Sequence, residues 1–303
     1  MIDYVKLNKY LTKSEVEQLK NKIDFYSTIN NATGEEVSMS SNGKRVLTHL
    51  LGWEKNMKIK LYPSGWLEVS GSLHKLFNDG KHNFNLFSKN DLIETVNGLR
   101  SALGINPWEL KISGLEFGAN ITPPLDSKRI IDNALMYKGR AFESKFHSDE
   151  GRYKQVGLSE YMVKLYDKRL HYESQGYEVC KETLRFELNY NTMRRVNAYK
   201  VFYLEDLKEN THNLIEPLLN AWDNVLLFDP TIRQEEMILK YNNINYWTSL
   251  IEKNRRSYLY ELKKLRYYTE TTTFGIQAEV RDIHPVVHFC ISIHILVNYN
   301  HTL

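Results

Sequence analysis

The chain has 303 residues, of which 42% are hydrophobic and 25% charged, a composition that excludes a disordered protein and indicates a globular one. A formal net charge of +3 is too small to indicate nucleic-acid binding by itself, although it allows a local basic surface. The two cysteines, Cys180 and Cys290, lie far apart and cannot form a zinc knuckle alone.

No targeting or membrane segment is predicted. The N-terminal stretch MIDYVKLNKYLTKSEVEQLK carries many lysines and glutamates and has no long apolar core, so it does not resemble a secretory signal. The apolar run at residues 286–297 is shorter than the ~20 residues that a membrane helix needs. We therefore expect a cytoplasmic protein with no membrane partner, and the sparse cysteines are typical of a reducing compartment.

Periodicity in the first third of the chain predicts strands and one helix. Residues 5–25 have the pattern of a short strand followed by a helix, whose start is a capping box formed by Thr12 and Glu15. A polar loop rich in Asn, Gly and Ser covers residues 30–44. The stretch MKIKLYPSGWLEVSGSLHKL then predicts a hairpin that turns at residues 63–65.

The middle of the chain predicts two more helices and three strands. A helix over residues 91–103 ends at Gly104, and a strand follows at residues 110–121. Residues 126–137 have helical spacing, whereas YMVKLYDK and TLRFELNYN have the alternation of strands. From about residue 203 onward the pattern is helical. The sequence therefore predicts an α+β fold that is followed by a helical C-terminal region.

Each predicted strand has one apolar and one polar face, because successive side chains of a strand alternate. In an antiparallel sheet, helices would cover the apolar face and the polar face would stay open. Glycines on either side of Glu116 also suggest a close approach by a ligand or by backbone. The side chains that we expect together on the polar face are Glu116, Glu187, His74, Tyr166, Lys164 and Arg185.

This combination of side chains suits phosphoryl transfer. Two carboxylates and a histidine can bind Mg²⁺ or Mn²⁺, which would polarise a phosphodiester. A tyrosine nucleophile needs nearby cations, since its unperturbed pKa is about 10, and Lys164 and Lys168 lie two residues either side of Tyr166. The alternative is a solvated sheet face, on which the two acids form salt bridges with neighbouring lysine or arginine.

Further residues are candidates for DNA contacts. Arg185 lies within the LRFELNYN strand, and Arg194 and Arg195 follow it directly. His82, in KHNFN, is either a loop-ordering side chain or a DNA contact. The stretch KNRRSYLYELKKLRYY at residues 253–268 alternates cations with aromatics, which fits phosphate contact with stacking or an ordinary solvated helix with an aromatic core stripe.

Several segments together resemble a known family: MIDYVKL, LEVSGSLHKLFNDGKHNFNLF, SGLEFGANI, MVKLYDKRLHYE and LRFELNYNTMRRV. They resemble the gene II/X-type replication initiators of phages and plasmids, which are rolling-circle nickases. The KxYDK strand followed by an R-x-E strand is also similar to the Rep-trans-type initiators of small plasmids. This resemblance covers about residues 1–195, and implies a DNA-nicking catalytic domain there with a Rep- or relaxase-like core, followed by a helical region at residues 196–303.

The resemblance implies roles for individual residues. Tyr166 would be the nucleophile that forms a 5′-phosphotyrosine link and frees a 3′-hydroxyl, assisted by its flanking lysines. Glu116 and Glu187 would be metal ligands. The sequence has no His-hydrophobic-His triplet, which many rolling-circle nickases carry, so a ligand role for His74 stays open.

The expected activity is therefore that of a metal-dependent DNA endonuclease and strand transferase that starts rolling-circle replication. Expected partners are single-stranded or hairpin origin DNA, with a host helicase and polymerase. Two other functions stay open at this point. The same sheet face could serve a non-catalytic nucleic-acid-binding protein, or a metal nuclease that uses water as its nucleophile and leaves Tyr166 structural.

Overall fold

The structure is a computed structural model that describes residues 1–27, 38–39, 45–46, 49–144, 152–273 and 275–287. Most of the polar loop predicted at residues 30–44 lies outside the described residues, as does most of the apolar run at residues 286–297.

The strands form one large sheet and two small ones. In chain order they are β1 (Ile2–Tyr10), β2 (Ser38–Met39), β3 (Arg45–Val46), β4 (Leu50–Glu54), β5 (Met57–Leu61), β6 (Trp66–Ser72), β7 (Lys111–Ile121), β8 (Ala134–Tyr137), β9 (Arg140–Ala141), β10 (Glu143–Ser144), β11 (Tyr153–Gly157), β12 (Tyr161–Asp167), β13 (Leu184–Tyr190) and β14 (Val225–Leu227). Within the described residues, nine of them form an antiparallel sheet in the order β10-β11-β12-β13-β7-β1-β6-β5-β4. Small sheets are formed by β14-β8-β9 and by β2-β3.

The α-helices are α1 (Lys13–Lys20), α2 (Leu73–Phe77), α3 (Lys89–Leu103), α4 (Ser127–Asn133), α5 (Lys168–Glu173), α6 (Leu207–Asn210), α7 (Ile215–Asp223), α8 (Glu235–Tyr241), α9 (Ile244–Lys253), α10 (Arg255–Thr272) and α11 (Ile276–Val287). Short 3₁₀ helices lie at Pro107–Glu109, Val196–Tyr199, Leu204–Asp206 and Thr211–Leu214. Across the described residues, no helix combines the length and apolar character needed to span a bilayer.

Helices cover the apolar face of the large sheet, as the sequence predicts. Trp222 of α7 packs edge-on against Phe186 of β13, with ring centroids 5.1 Å apart. Ile131 of α4 and Val280 of α11 are buried in the same core. The predicted α+β class, with an antiparallel sheet and C-terminal helices, is confirmed.

Two predicted helical segments contain strands. The helix predicted at residues 126–137 ends at Asn133, and Ala134–Tyr137 is strand β8. The C-terminal region predicted as helical contains β14, which pairs with β8 so that Leu226 lies opposite Met136. A three-residue strand has no periodicity of its own, and only its tertiary partner stabilises it.

Two apolar clusters stabilise the fold. The larger lies around the nine-stranded sheet and includes residues well beyond 195, such as Val201 and Leu218. The smaller joins β8 and β14 to the helices α8–α10 and has Trp247 at its centre. The division into residues 1–195 and 196–303 stays a prediction, and the first cluster contains residues from both sides of it.

Two strands end earlier than the sequence predicts, because a polar side chain caps a helix at each end. β6 ends at Ser72, which caps α2, so His74 lies on a helix and not on the strand face. β12 ends at Asp167, whose carboxylate accepts a hydrogen bond from the Leu170 N–H at 2.9 Å. Lys168 is therefore the first residue of α5 and does not belong to the polar face of β12.

Candidate active site

Three carboxylates lie together on the polar face of the large sheet, on its central strands. They belong to Asp3, Glu116 and Glu187, on the neighbouring strands β1, β7 and β13, and one oxygen from each lies within 4.8 Å of the others. All three side chains are buried. Buried carboxylates are stable only when they are paired or bind a cation, so this acidic group has the donor chemistry of a divalent metal site.

The pairing register explains how Asp3 reaches the acidic group. Ile2 pairs with Phe117 and Val5 pairs with Leu115, so two residues of β1 stand opposite one residue of β7. This β-bulge turns the Asp3 side chain to the polar face, whereas strict alternation would place it beside Val5 on the apolar face. Sequence analysis missed Asp3 because the alternation of side chains does not reveal a bulge.

Gly118 allows the strands that carry the two glutamates to lie close together. It pairs directly with Glu187 in the register of β7 and β13. A Cβ atom at Gly118 would lie 2.3 Å from the carbonyl oxygen of Phe186 and 2.5 Å from the Cβ of Glu187. The close approach that the glycines beside Glu116 predict is thus an approach of protein atoms, and it positions the Glu187 carboxylate.

Two cations are paired with the acidic group. The Lys164 ammonium lies 2.5 Å from Oε2 of Glu116 and 3.1 Å from Oε1 of Glu187. The Arg185 guanidinium is fully buried, and it donates to Glu187 at 2.7 Å and to Asp3 at 3.4 Å. Sequence analysis assigned Arg185 to DNA contact, but the structure places it inside the acidic group, where these carboxylates satisfy it.

The three carboxylates differ in how readily they ionise. Burial and the adjacent Glu187 raise the pKa of Glu116 to about 8. Burial also acts on Glu187, but Lys164 and Arg185 outweigh it and lower its pKa. The pKa of Asp3 is held well below its usual range against burial, mainly by Arg185. At neutral pH, Glu116 is therefore the carboxyl group that holds a proton in the absence of a metal.

Tyr166 borders the acidic group, in a cleft of about 480 Å³ that also includes Glu116 and Glu187. Its hydroxyl donates to Oε2 of Glu187 at 3.5 Å. Burial, and then the Glu187 charge, raise the pKa of Tyr166 well above its usual value. The sequence predicts that the flanking lysines counteract this rise in pKa. They do not, because the Lys164 ammonium lies against the carboxylates instead of the Tyr166 hydroxyl.

Tyr153 also lines the cleft, and the sequence analysis did not predict it. Tyr153 lies opposite Tyr166 in the pairing of β11 with β12, and their rings stack with centroids 5.4 Å apart. Burial raises the pKa of Tyr153 to about 12, and Lys164 opposes that shift. The only signal in the sequence is the alternation YKQVG at residues 153–157, which does not show the strand's position at the edge of this site.

His74 and Lys168 are buried near the acidic group without belonging to it. Nε2 of His74 lies 2.7 Å from the Asn85 side chain, and its ring stacks on Phe87, so it is a core histidine. Burial and Lys168 lower its pKa to about 3. The ammonium of Lys168 is fully buried and has no hydrogen-bond partner among the described residues, and burial together with Arg185 lowers its pKa to about 7.

The polar face is not open over the acidic group, because two segments cover it there. Asn83, in the loop after α2, donates to Asp3 at 2.5 Å, and its backbone N–H donates to the Tyr172 hydroxyl of α5 at 3.1 Å. His82 stacks on Phe84 with centroids 4.1 Å apart, and both rings contact Tyr172. His82 thus belongs to an aromatic cluster beside the cleft.

The two arginines after β13 lie away from the acidic group. Arg194 and Arg195 are exposed. Arg195 forms an ion pair with Glu160 and lies over the ring of Tyr161, 5.7 Å from its centroid. The Tyr161 ring stacks on Tyr190 and belongs to the core on the helix-covered face. Arg195 is therefore on the side of the sheet opposite the cleft.

No family model matches the chain, and no curated protein is significantly similar to it in sequence. The chain is similar to a solved structure described as the rolling circle replication initiator protein from Geobacillus stearothermophilus. The similarity covers 88% of this chain and 95% of that chain, at 12% identity and a TM-score of 0.42. The sequence identity and the TM-score are both too low to assign a function to this chain.

Proposed function

We propose that this chain is a metal-dependent DNA nickase that uses Tyr166 as its nucleophile and starts rolling-circle replication. The observation that carries the proposal is the position of the Tyr166 hydroxyl, 3.5 Å from a carboxylate of a buried three-acid group. Metal-dependent cleavage by a tyrosine requires the nucleophile and the cation to share one cleft, and the cleft lined by Tyr166 is also lined by all three acids, which supports the proposal.

The acidic group fits a divalent cation, which Asp3, Glu116 and Glu187 would hold. Its donors are carboxylate oxygens, which suit Mg²⁺ or Mn²⁺ better than softer metals. When bound there, such a cation would polarise the scissile phosphodiester and offset the carboxylate charge that raises the pKa of Tyr166. His74 is left out of this ligand group, because its Nε2 bonds to Asn85.

Each side chain of the cleft would have a separate role in strand transfer. The Tyr166 hydroxyl gives up its proton as its oxygen attacks the phosphorus. The bond from phosphorus to the 3′ oxygen breaks and that oxygen takes up a proton, so the DNA is left with a 5′-phosphotyrosine link and a 3′-hydroxyl. Glu187 accepts the hydrogen bond of the Tyr166 hydroxyl and so orients that oxygen. Lys164 and Arg185 offset the charge of the carboxylates, whereas Lys168, whose pKa is lowered to about 7 by burial and Arg185, is only partly charged at neutral pH.

A metal nuclease that uses water is the second candidate. The raised pKa of Tyr166 favours it, because a phenol that resists ionisation is a poorer nucleophile. A purely non-catalytic binder is less well supported, since the charged side chains of this face are buried and paired with one another.

One experiment separates the three functions. Purified protein is incubated with 5′- and 3′-labelled single-stranded origin DNA and Mn²⁺, and the products are resolved on a denaturing gel. An SDS-resistant protein–DNA adduct with a free 3′-hydroxyl is the expected result. Cleavage into two free fragments would identify the water-dependent nuclease, and intact DNA bound by the protein would identify the binder. In the replicon, the freed 3′-hydroxyl would prime a host polymerase behind a host helicase.

A further inference from the structure

Helix α10 exposes a stripe of cations and aromatic rings that the proposed active site does not use. The stripe consists of Arg256, Tyr260, Lys263, Lys264 and Tyr267. The spacing of three and four residues places all five on one face of the helix. All five are exposed, and Tyr260 and Tyr267 are 68% and 69% exposed. What distinguishes these two rings from other exposed tyrosines of the chain is that they share one helix face with three cations.

The opposite side of α10 accounts for the stability of the helix. Tyr258 and Leu265 are buried in the smaller apolar cluster, where Tyr258 packs edge-on against Trp247 with centroids 5.8 Å apart. Glu261, which lies between them, bonds to Lys240 and Tyr241 at 2.9 and 2.7 Å. The exposed stripe is therefore not required to hold the helix in place.

The charge of the stripe is unbalanced. Among the described residues, Arg256, Lys263 and Lys264 form no ion pair or side-chain hydrogen bond within the chain. Of the two acids of α10, Glu261 is turned to the other side, where it bonds to Tyr241. Glu270 is exposed one turn beyond Tyr267 and marks the end of the basic stripe.

We infer that the α10 stripe binds single-stranded DNA, with its cations on phosphates and its two tyrosine rings stacked on unpaired bases. Seven residues separate Tyr260 from Tyr267, which places them about 10 Å apart along the helix with Lys263 between them. Bases offer a free face for stacking only when they are unpaired, so exposed rings favour a single strand over a duplex. This inference rests on the proposed function, which supplies single-stranded origin DNA as the substrate.

The test measures DNA affinity by fluorescence anisotropy at several salt concentrations, with a labelled single strand and the matching duplex. The triple variant R256A/K263A/K264A should bind the single strand more weakly and lower the slope of log affinity against log salt by about 2, since each lost phosphate contact contributes about 0.7. The matched control is K13A/K20A/K22A, which removes three exposed lysines from and beside α1 and should bind as the wild type does.

The rings are tested separately from the charges. The pair Y260L/Y267L should lose about tenfold or more in single-strand affinity, because stacking contributes roughly 1–3 kcal/mol per base, while Y260F/Y267F should retain it. Circular dichroism checks that the variants keep the wild-type fold. Equal affinity and salt slope in the wild type and the triple variant, or tighter wild-type binding to duplex, would overturn the inference.

The cleavage assay keeps the two hypotheses apart. The α10 variants should still form the covalent adduct at saturating concentrations of a short oligonucleotide, because the stripe does not belong to the cleft. If adducts form normally and the stripe variants bind normally, only the α10 inference fails. If no protein forms an adduct while the stripe variants lose single-strand affinity, the nickase proposal fails and the binding site stands.

Discussion

The ammonium of Lys164 lies 2.5 Å from Oε2 of Glu116, so the lysine serves the acidic group and not the neighbouring tyrosine. Between them, Glu116 and Glu187 raise the pKa of Lys164 although burial opposes this shift. The Lys164 ammonium therefore places positive charge among the carboxylates that would hold a divalent cation. Removal of one partner from a buried ion pair is costly, so Lys164 and the ionised Glu187, 3.1 Å apart, depend on each other.

Tyr166→Phe should abolish the covalent adduct while leaving the fold intact, because it removes the oxygen proposed to attack phosphorus and changes little volume. The measurement is adduct formation with labelled single-stranded DNA and Mn²⁺. Tyr153→Phe and Tyr161→Phe are the controls. Both should keep adduct formation, and Tyr161→Phe should lose about 1 kcal/mol of stability with its 2.9 Å hydrogen bond to Tyr137. If Tyr166→Phe were active and Tyr153→Phe inactive, the nucleophile would be Tyr153 of β11 and not Tyr166 of β12.

Asp3→Asn should weaken Mn²⁺ binding by at least about tenfold, since even groups that only orient metal ligands contribute that much. Isothermal titration calorimetry measures the affinity directly, without reference to cleavage. His74→Ala is the matched control, because His74 is buried nearby and bonds to Asn85 instead of lying among the carboxylates. If His74→Ala weakened Mn²⁺ binding and Asp3→Asn did not, the ligand group would be wrong.

Metal affinity should rise about tenfold per pH unit between pH 6 and 8 and then level off, because Mn²⁺ displaces a proton from Glu116, whose pKa is about 8. Titrations in buffers of different ionisation enthalpy would show the released proton. The same group affects stability without metal. Its folded pKa lies above the usual value of 4.5, so its contribution to stability is complete below that pH and is lost as pH rises to about 8. Glu116→Gln should remove both pH dependences.

Lys168→Met should stabilise the metal-free protein at pH 6 by roughly 1–3 kcal/mol, the usual cost of burying a polar group that has no partner. Urea denaturation in EDTA measures the change. The folded pKa of Lys168, about 7, lies below the usual 10.5, so the wild type binds fewer protons when folded and gains stability between those values. The advantage of the variant should therefore shrink from pH 6 to pH 9. A constant difference would show that the ammonium is not the cause.

Gly118→Ala should destabilise the fold by about 1–3 kcal/mol and reduce adduct formation, because the added methyl group would collide with β13 and move Glu187. Gly157→Ala is the matched control, since a Cβ there meets no atom of the described residues within 4 Å. That variant should stay within about 0.5 kcal/mol of the wild type. Thermal unfolding and the adduct assay measure the two effects. Equal stability of both variants would contradict the role given to Gly118.

Which side chains of the central strands share a face could be predicted from the residues alone. The period of two in β7, β12 and β13 brings Glu116, Glu187, Tyr166 and Lys164 together, and the structure has all four in one cleft. The helix caps, such as Thr12 with Glu15 at α1, were also readable, because they depend on residues three apart. These features need only local geometry.

Tertiary structure decided the rest, because it depends on what each strand or helix meets across space. The β-bulge that turns Asp3 into the acidic group exists only in the pairing of β1 with β7. Tyr153 reaches the cleft through the pairing of β11 with β12, and Lys168 leaves the sheet where Asp167 caps α5. Burial of the polar face under the Asn83 loop and α5 is likewise a long-range contact. Side-chain alternation records the direction of a residue along its own strand, and it contains no information about the register or the partner of that strand.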